Sequence, residues 1–410
     1  MRGSVRIAAF RGRVFAGAAV ACVLLVPTAT ASAAGWSVQS APEPAGSSAA
    51  WLNAVSCVSQ TACVAVGGFD RKNGDRPLVE RWNGIRWSVQ ATPPLPSYGQ
   101  FNGVSCTSKS ACTAVGYSGC GLLAERWDGK RWSLQATPPG SWLCEWNLGS
   151  EDGQLNAVSC VSGTACTAVG TLHKYETGAA DISAKPAAGG DSYAPIIGRW
   201  NGTKWLITAR DPSGFHDTQL DGVSCTSSTA CTTVGGGASM PYSGVDRPVV
   251  KRWNGNRWLN QQAVVDGVFS KLHAVSCTSR TACMAVGQPG YPDYSPLAEQ
   301  WDGTRWSLRP VALPVGAENP ELTLDSVSCN SATACTAVGS VSSLGYGLAE
   351  RWDGITWTVQ TPAVPSPGFY SFSGASCASR RTCIAVGRFD QRANAPLQPA
   401  HILVERWSGK

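Results

Sequence analysis

Three residues capable of acid–base or ligand chemistry occupy one position of a segment that recurs along the chain. Asp221, His273 and Asp325 each precede a cysteine by four residues, in the pattern x-[AGS]-V-S-C. Two carboxylates and an imidazole from successive repeats can hold a cation or act as a general acid–base set if the fold brings them together. One hypothesis is therefore a catalytic site formed by Asp221, His273 and Asp325.

A structural role for this position is the alternative. In the other repeats it holds a short polar residue: Asn53, Asn102, Asn156 and Ser373. Such side chains often cap turns by bonding local backbone amides. The other histidines lie in variable segments without H-x-x-x-H or H-E-x-x-H spacing, as expected of solvated surface groups: His173, His216 and His401. No nucleophile elbow, phosphate loop or calcium loop occurs, and we expect no metal and no cofactor.

The cysteines show a regular spacing. Of 17 cysteines, Cys22 lies in an N-terminal apolar segment, and fourteen form pairs at constant i, i+6 spacing. The pairs are Cys57/Cys63, Cys106/Cys112, Cys160/Cys166, Cys225/Cys231, Cys277/Cys283, Cys329/Cys335 and Cys377/Cys383. Cys120 and Cys144 remain and could bridge each other. Because zinc sites need tighter spacing and histidine partners, the pattern predicts a disulfide framework.

Aromatic residues outside the repeated motifs gather in the connecting segments. All nine tyrosines are predicted to lie in connections, together with Trp51, Trp142 and Trp146. Aromatic rings with a polar tip are common in contact surfaces, but long loops also use them as apolar anchors. The candidate binding residues are Trp142, Trp146, Trp51, Tyr117 and Tyr98.

Two sequence blocks recur seven times and define the elements that position these residues. The first is Leu52–Gly67 and the second is Leu78–Gln90, and successive first cysteines are 48 to 65 residues apart. Periods near 50 residues are typical of β-propeller blades. Each block splits at a turn into two strands, which gives four antiparallel strands, a to d, in each blade. The prediction is an all-β, seven-bladed β-propeller.

The two ends of the chain complete one repeat. Arg406–Lys410 followed by Gly35–Gln39 matches Arg81–Gln90, so the N-terminal strand should pair with the C-terminal blade and close the ring. Strand order then places the short a–b and c–d turns at one rim and the variable b–c and d–a connections at the other. Each blade also has two tryptophans flanking an Asn-Gly or Asp-Gly turn; a Gly-x turn would place them face to face, and an Asn-Gly turn would not. The repeated Glu-Arg of strand c, as in Glu80-Arg81, predicts interblade or cross-strand ion pairs.

The N-terminus has the features of a secretory leader. Four arginines precede an apolar stretch, Val14–Val26, and small residues around Ala31–Ala33 provide a cleavage site. We expect residues 1–34 to be a signal peptide, residues 35–410 a single propeller domain, and the protein to be extracellular. The chain has a net charge of +6, and without the leader arginines about +2, which does not support nucleic-acid binding.

The blade motif resembles known propellers. V-S-C-x-S-x-x-x-C-x-A-V-G followed by E-R-W-[ND]-G-x-x-W is similar to a repeat of uncharacterised actinobacterial exported proteins, within the kelch and galactose-oxidase-like superfold. The blades lack the kelch pattern of a Gly-Gly doublet followed by spaced Tyr and Trp in each repeat, and the turn lacks one residue of the sialidase Asp-box, so neither sialidase activity nor a copper site is implied.

Two functions remain open from the sequence. The first is an exported, non-catalytic binding or scaffold propeller, a monomer without a membrane span, that contacts glycan or protein through the rim of variable loops. The alternative is an extracellular hydrolase or lyase with Asp221, His273 and Asp325 at the mouth of the central channel.

Overall fold

A computed structural model describes most of the chain after residue 33. The described residues are 34–72, 74–119, 121–138, 151–174, 192–210, 216–238, 246–264, 269–288, 290, 295–314, 321–341, 345–363, 368–390 and 400–409, with Met1 and Gly3. The chain divides into two units, Met1–Ser32 and Ala33–Lys410, and every strand formed by the described residues lies in the second. The described residues include no helix long and apolar enough to cross a membrane.

Seven four-stranded antiparallel sheets confirm the predicted propeller. Blade 1 comprises β2 (Ala50–Ser59), β3 (Ala62–Phe69), β4 (Arg76–Trp82) and β5 (Trp87–Val89). Blade 2 comprises β6 (Gly99–Ser108), β7 (Ala111–Ser118), β8 (Gly121–Trp127) and β9 (Trp132–Leu134). Blade 3 comprises β10 (Glu151–Ser162), β11 (Ala165–Lys174), β12 (Ser192–Trp200) and β13 (Trp205–Arg210). Blade 4 comprises β14 (His216–Ser227), β15 (Ala230–Ala238), β16 (Asp246–Trp253) and β17 (Trp258–Gln261).

The remaining blades follow the same order. Blade 5 comprises β18 (Lys271–Ser279), β19 (Ala282–Gln288), β20 (Leu297–Trp301) and β21 (Trp306–Leu308). Blade 6 comprises β22 (Leu322–Ser331), β23 (Ala334–Val341), β24 (Tyr346–Trp352) and β25 (Trp357–Gln360). Blade 7 comprises β26 (Phe369–Ser379), β27 (Thr382–Asp390), β28 (His401–Ser408) and, from the other end of the chain, β1 (Gly35–Val38).

The ring closes through the N-terminal strand, as the split repeat predicts. Strand β1 pairs with β28 in the register that places Trp36 opposite Trp407. Blade 7 also packs on blade 1, where Leu52 and Val55 share a core with Ile384 and Val386. The first and last blades therefore meet through side chains, and the N-terminal strand completes the last blade.

A ring of hydroxyl hydrogen bonds joins the innermost strands. The serine of each V-S-C or A-S-C segment accepts a hydrogen bond from the backbone N–H of the corresponding cysteine in the next blade, at 2.9–3.0 Å. In blade 1 the acceptor is Ser56 and the donor is Cys106 of blade 2. The last bond runs from Cys57 of blade 1 to Ser376 of blade 7, so the ring is complete. This explains why a serine precedes the first cysteine in every repeat.

The cysteine pairs form the predicted cross-links. Each i, i+6 pair is a disulfide between strands a and b of one blade, with Cα atoms 3.9–4.0 Å apart. Seven such bonds are typical of a protein in an oxidising compartment. Cys120 and Cys144 lie outside the described residues. The seven disulfides are Cys57–Cys63, Cys106–Cys112, Cys160–Cys166, Cys225–Cys231, Cys277–Cys283, Cys329–Cys335 and Cys377–Cys383.

The two cysteines of each disulfide differ in burial, which the spacing alone did not predict. The first cysteine, on strand a, is partly buried in every blade. The second, on strand b, belongs to the hydrophobic core and is only 1–4% exposed: Cys63, Cys112, Cys166, Cys231, Cys283, Cys335 and Cys383. Some of these sulfur atoms also meet a threonine hydroxyl of the preceding blade, as Cys166 meets Thr113 at 3.7 Å. The strand b cysteines are therefore core residues that hold the blades together, and not residues of a site that a ligand could reach.

The register of the tryptophan turns, which the sequence leaves open, is the Gly-x arrangement. Trp82 lies directly opposite Trp87, with ring centroids 5.7 Å apart. Gly84 occupies the first central position with φ +98°, a conformation that glycine adopts without steric cost. The Asn83 side chain accepts hydrogen bonds from the two N–H groups that follow the glycine, each at 2.9 Å. This bonding makes each c–d turn short and rigid.

Among the described residues, the carboxyl groups of Glu80, Glu125 and Glu350 do not form the predicted ion pairs. The arginine instead contacts the next blade: Arg81 stacks 5.0 Å from the Trp127 ring and donates to the Lys109 carbonyl at 3.0 Å. The glutamate points the other way and is fully buried at five equivalent positions: Glu80, Glu125, Glu299, Glu350 and Glu405. Adjacent residues on a strand point to opposite faces, which is why the two charges are separated.

These buried carboxyl groups have altered acidity. Burial raises the pKa of Glu80, Glu125 and Glu350 to about 8. Burial raises the pKa of Glu299 to about 7. The backbone N–H of Val264 donates to its carboxyl oxygen at 3.1 Å, and this hydrogen bond lowers the pKa and so opposes the effect of burial. Among the described residues, the carboxyl groups of Glu80 and Glu125 have no hydrogen-bond partner. Val264 lies in the connection that enters blade 5, and the connections that enter blades 1 and 2 have a proline at the equivalent position, which has no N–H to donate.

The two rims of the ring differ as the strand order predicts. We call the rim with the a–b and c–d turns the turn rim, and the rim with the b–c and d–a connections the loop rim. The strands extend further toward the loop rim than predicted. Four tyrosines expected in connections lie in strands instead: Tyr117, Tyr193, Tyr346 and Tyr370.

Candidate functional site

The mouth of the central channel is lined by the variable position of strand a. In every blade this residue is a β-bulge, an extra residue that has no partner on strand b, and the glycine that ends each A-V-G or equivalent segment lies opposite the bulge. A Cβ on Gly67 would lie 2.1 Å from the carbonyl oxygen of Trp51, so glycine is required there. The bulges surround a cavity of about 470 Å³ at the loop-rim end of the channel.

In blades 1 to 3 the bulged residues connect neighbouring blades. Asn53 donates to the carbonyl of Phe101 at 2.8 Å, and Asn102 donates to that of Leu155 at 3.0 Å. Asn156 donates to the carbonyl of Leu220 at 2.9 Å. The turn-capping alternative is therefore wrong for these three residues, because their bonds cross to the next blade instead of returning to local amides.

In blades 4 to 6 the bulged residues pair with other ionisable side chains. The Nδ1 atom of His273 lies 2.9 Å from a carboxylate oxygen of Asp325, across the blade 5–6 boundary. Asp221 lies 2.8 Å from the ammonium of Lys271, a residue that the sequence analysis did not select. The three candidate residues thus surround one cavity but separate into two pairs. Within the described part of the chain, no group of three His, Cys, Asp or Glu side chains could hold a metal ion.

A second cavity lies on the loop rim between blades 2 and 3. It has a volume of about 310 Å³, and we call it the aromatic cleft. Its lining residues are Tyr98, Tyr117, Gly119, Gly153, Gln154, Thr171, His173 and Tyr193. Two of the five candidate binding residues, Tyr98 and Tyr117, therefore meet in one cavity.

The blade 2 wall of the cleft is held by the backbone around Tyr98. The Gly119 N–H donates to the Tyr98 carbonyl at 2.8 Å, and the Gly99 N–H donates to the Asp75 carbonyl at 3.0 Å. These bonds hold the backbone on both sides of Tyr98. The Tyr98 ring lies edge-on to Tyr117, with centroids 6.4 Å apart, while half of the Tyr98 side chain stays exposed. Burial raises the pKa of the Tyr117 hydroxyl, with smaller contributions from Asp75 and Tyr98, so this group stays neutral and can donate a hydrogen bond.

The blade 3 wall is a stacked pair. His173 and Tyr193 lie opposite each other on β11 and β12, with ring centroids 4.5 Å apart and planes inclined by 9°. The prediction that His173 is a solvated surface group is wrong because β11 extends further than expected. Gln154 and Thr171 form the next cross-strand pair inward, and Thr171 lies within 3.4 Å of Asn156 at the channel mouth. The cleft therefore combines flat rings with amide and hydroxyl groups.

The remaining candidate binding residues are placed differently. Trp51 does not line the cleft; its indole N–H donates to Gln100 at 3.0 Å, and its ring packs against Gly68. Gln100 in turn donates to Asn102, so Trp51 braces the channel mouth. Trp142 and Trp146, with the Cys120 and Cys144 pair, lie outside the described residues.

Sequence reasoning missed Lys271, His173, Tyr193 and Gln154. Lys271 lies two residues before His273, on the same side of strand β18, and this alternation is a signal that could have identified it. The His173–Tyr193 stack depends on strand register across a connection of seventeen residues, 175–191, and the local sequence does not specify that register.

Comparisons with known proteins agree with the fold. No protein-family model matches the chain, and no curated protein sequence matches it. Among solved structures, YCF48 bound to a D1 peptide is 13% identical, covers 92% of this chain and 96% of its own, and has a TM-score of 0.52. YCF48 from Cyanidioschyzon merolae is 12% identical over 92% of this chain and 99% of its own, with a TM-score of 0.49. A six-bladed fucose lectin from the fungus Aleuria aurantia is 12% identical over 78% and 99%, with a TM-score of 0.48. At such identity the first of these alignments shows a shared propeller fold alone.

Proposed function

We propose that this protein is an exported, non-catalytic binding propeller that contacts a glycan or a protein segment through the aromatic cleft of its loop rim. The observation that supports the proposal is the convergence of Tyr98, Tyr117, His173 and Tyr193 on one open cavity of about 310 Å³. This volume is at the lower end of the range of small-molecule sites. A cavity of this size accommodates one sugar ring or one large side chain.

The chemistry of the cleft favours a sugar ring. A pyranose has an apolar C–H face and a polar hydroxyl edge, which match aromatic rings and hydrogen-bonding groups respectively. Tyr98, exposed by half, offers a ring, and Gln154 and Thr171 offer an amide and a hydroxyl. The residues that line the cleft carry no fixed charge except that of His173 when protonated, so a neutral or weakly acidic glycan fits better than a strongly cationic ligand.

Export is part of the same proposal. The arginine-rich start, the apolar stretch and the small residues before Gly35 support a signal peptide of residues 1–34. The seven disulfides support folding in an oxidising compartment. We place the secreted chain, residues 35–410, among monomeric propellers of the kelch and galactose-oxidase-like superfold that actinobacteria export.

Binding is tested by screening the secreted, disulfide-intact protein against cell-wall and plant polysaccharides and exported proteins, followed by calorimetric titration of the best ligand. Tyr98→Ala should weaken binding about tenfold, equivalent to about 1.4 kcal/mol. Phe369→Ala, which removes an exposed loop-rim aromatic of blade 7, is the matched control and should bind normally. A ligand that binds Tyr98→Ala and His173→Ala variants as tightly as the unaltered protein would exclude the cleft as its site.

A second candidate function rests on the His273–Asp325 pair. A carboxylate bonded to one imidazole nitrogen orients the other nitrogen as a base, and this pair borders a cavity of about 470 Å³. The pair would serve an extracellular hydrolase or lyase. His273→Gln and Asp325→Asn variants distinguish the two functions. If the protein is an enzyme, each variant should abolish product formation from a polysaccharide. If it is not, each variant should leave ligand binding at the aromatic cleft unchanged.

A further inference from the structure

The turn rim has a chemistry of its own, separate from the cleft and the channel. Its c–d turns all contain four residues between the paired tryptophans, so their tips reach similar heights above the strands. The residue before the second tryptophan is basic and exposed in five consecutive blades: Arg86, Arg131, Lys204, Arg257 and Arg305. Exposed basic residues in the a–b turns add to this set: Lys109, Arg280, Arg380 and Arg381.

Few opposing charges lie on this rim. The acidic residues of its turns are Asp128, Asp302 and Asp353. Each accepts hydrogen bonds from the two backbone N–H groups after the turn glycine, at 2.8–2.9 Å, and therefore lies at the base of its turn. Arg305 lies 4.0 Å from a carboxylate oxygen of Asp302, and the exposed basic side chains of the turns outnumber these three carboxylates.

Two turn tips carry an exposed apolar side chain. Ile85 of blade 1 is 85% exposed and Ile355 of blade 6 is 83% exposed. The equivalent residues of the other turns are polar: Lys130, Thr203, Asn256 and Thr304. The backbone N–H of each isoleucine is bonded to the turn's Asn or Asp side chain, so the tip is held outward without an apolar anchor.

The isoleucines lie on either side of an arginine pair. Blades 6 and 1 flank blade 7 in the closed ring, and the a–b turn of blade 7 contains Arg380 and Arg381. Arg380 donates to the hydroxyls of Ser331 and Thr333 at 2.7 and 2.9 Å, which fixes it toward blade 6. Blades 6, 7 and 1 thus combine apolar tips with fixed cations on one face.

We propose that the turn rim docks on an anionic lipid bilayer, with Ile85 and Ile355 entering the headgroup boundary and Arg380 and Arg381 contacting lipid phosphates. Basic residues near an anionic surface each strengthen binding about fivefold, and exposed apolar side chains strengthen it further by inserting into the headgroup boundary. A soluble anionic polymer would use the arginines but gain nothing from two rigid isoleucine tips. Docking in this orientation leaves the loop rim and its cleft directed away from the bilayer.

Vesicle co-sedimentation of the secreted, disulfide-intact protein tests the proposal. We expect binding to vesicles of equal parts phosphatidylglycerol and phosphatidylcholine, and binding at least tenfold weaker to phosphatidylcholine alone. Ile85→Ser with Ile355→Ser should lower the partition coefficient about tenfold. Arg380→Gln with Arg381→Gln should lower it about thirtyfold, from two lost cations.

Matched loop-rim variants provide the controls. Arg71→Gln and Leu313→Ser remove an exposed cation and an exposed apolar side chain from the other rim and should bind the vesicles normally. Unchanged thermal midpoints confirm that all variants fold. Equal binding to both vesicle types would overturn the proposal, as would anionic-vesicle binding that the isoleucine double variant leaves unaltered, because that result identifies a general polyanion surface. Binding of the aromatic cleft to its own ligand is measured separately and does not depend on either outcome.

Discussion

At the residue scale, small polar side chains of strand a determine how the blades join. The serine before the first cysteine bonds the next blade, and the asparagine bulges of blades 1 to 3 do the same three residues nearer the loop rim. The sequence indicates the variable position and groups Asp221, His273 and Asp325 there as possible chemistry, whereas the pairing of His273 with Asp325 emerges only in the structure. The hydrogen bond of the serine could not be predicted from the sequence. A residue that is identical in all repeats shows no variation from which its partner can be inferred.

Loss of one interblade hydroxyl should be measurable. Ser224→Ala removes the acceptor for the backbone N–H of Cys277, now at 2.9 Å, and should lower the free energy of unfolding by about 1 kcal/mol. Thermal and denaturant unfolding check the change. Ser133→Ala, on the exposed outer strand β9, is the control and should change stability by less than half as much.

The buried glutamates predict an unusual pH dependence. The ordinary pKa of 4.5 applies in the unfolded chain, whereas Glu80, Glu125 and Glu350 have folded values of about 8. Between these values the folded protein binds more protons than the unfolded chain, so stability falls as pH rises. The contribution is fully present below about pH 4.5 and is lost by about pH 8.

An isosteric variant isolates this effect. Glu80→Gln removes the ionisable group while keeping its shape, and it should flatten the decline in thermal midpoint between about pH 5 and 8. Glu321→Gln alters an exposed residue before β22 and is the control. A Glu80→Gln protein whose midpoint follows that of the unaltered protein at every pH would show that Glu80 ionises normally.

At the element scale, the strands could be predicted well and their ends could not. Alternating apolar residues and turn chemistry locate four strands in each blade. Strands b and c continue beyond the repeated motif into segments of different composition, as at His173 and Tyr193. Strand pairing in these segments depends on backbone hydrogen bonds more than on the side-chain pattern. The aromatic cleft is built on those extensions, so only its blade 2 half was predictable.

Each blade also has an independent cross-link. Replacing Cys225 and Cys231 by alanine opens a short a–b loop and should lower the free energy of unfolding by about 2 kcal/mol on the chain-entropy estimate. The rest of the ring should keep its disulfides, as peptide mapping under non-reducing conditions would show. Mapping that joins cysteines of different blades would contradict the structure directly.

At the scale of the whole molecule, closure of the ring and its two unlike rims follow from the split repeat. Strand β1 completes blade 7, with Trp36 buried against Trp407 and Phe372. Strand connectivity then separates uniform turns from variable loops. What the ring binds could not be predicted, since ligand chemistry depends on side chains that converge from separate blades.

Removal of the closing strand tests the architecture. A chain of residues 40–410 lacks Gly35–Gln39, which leaves the outer edge of β28 unpaired, and it should lose several kcal/mol, comparable to truncation of a buried tryptophan at about 3–5 kcal/mol. Thermal unfolding and small-angle scattering measure the lower midpoint and the opened ring. Deletion of residues 1–34 alone is the control and should leave both properties intact.

The central claim is that the aromatic cleft between blades 2 and 3 is the ligand site. Hydroxyl-radical footprinting of the disulfide-intact protein, with and without the best ligand from the screen, tests it most directly. The account predicts ligand-dependent protection of Tyr98, Tyr117 and Tyr193, with no change at Tyr370 of blade 7. Protection confined to the channel mouth at His273, or to a rim of another blade, with Tyr98 equally reactive in both states, would contradict it.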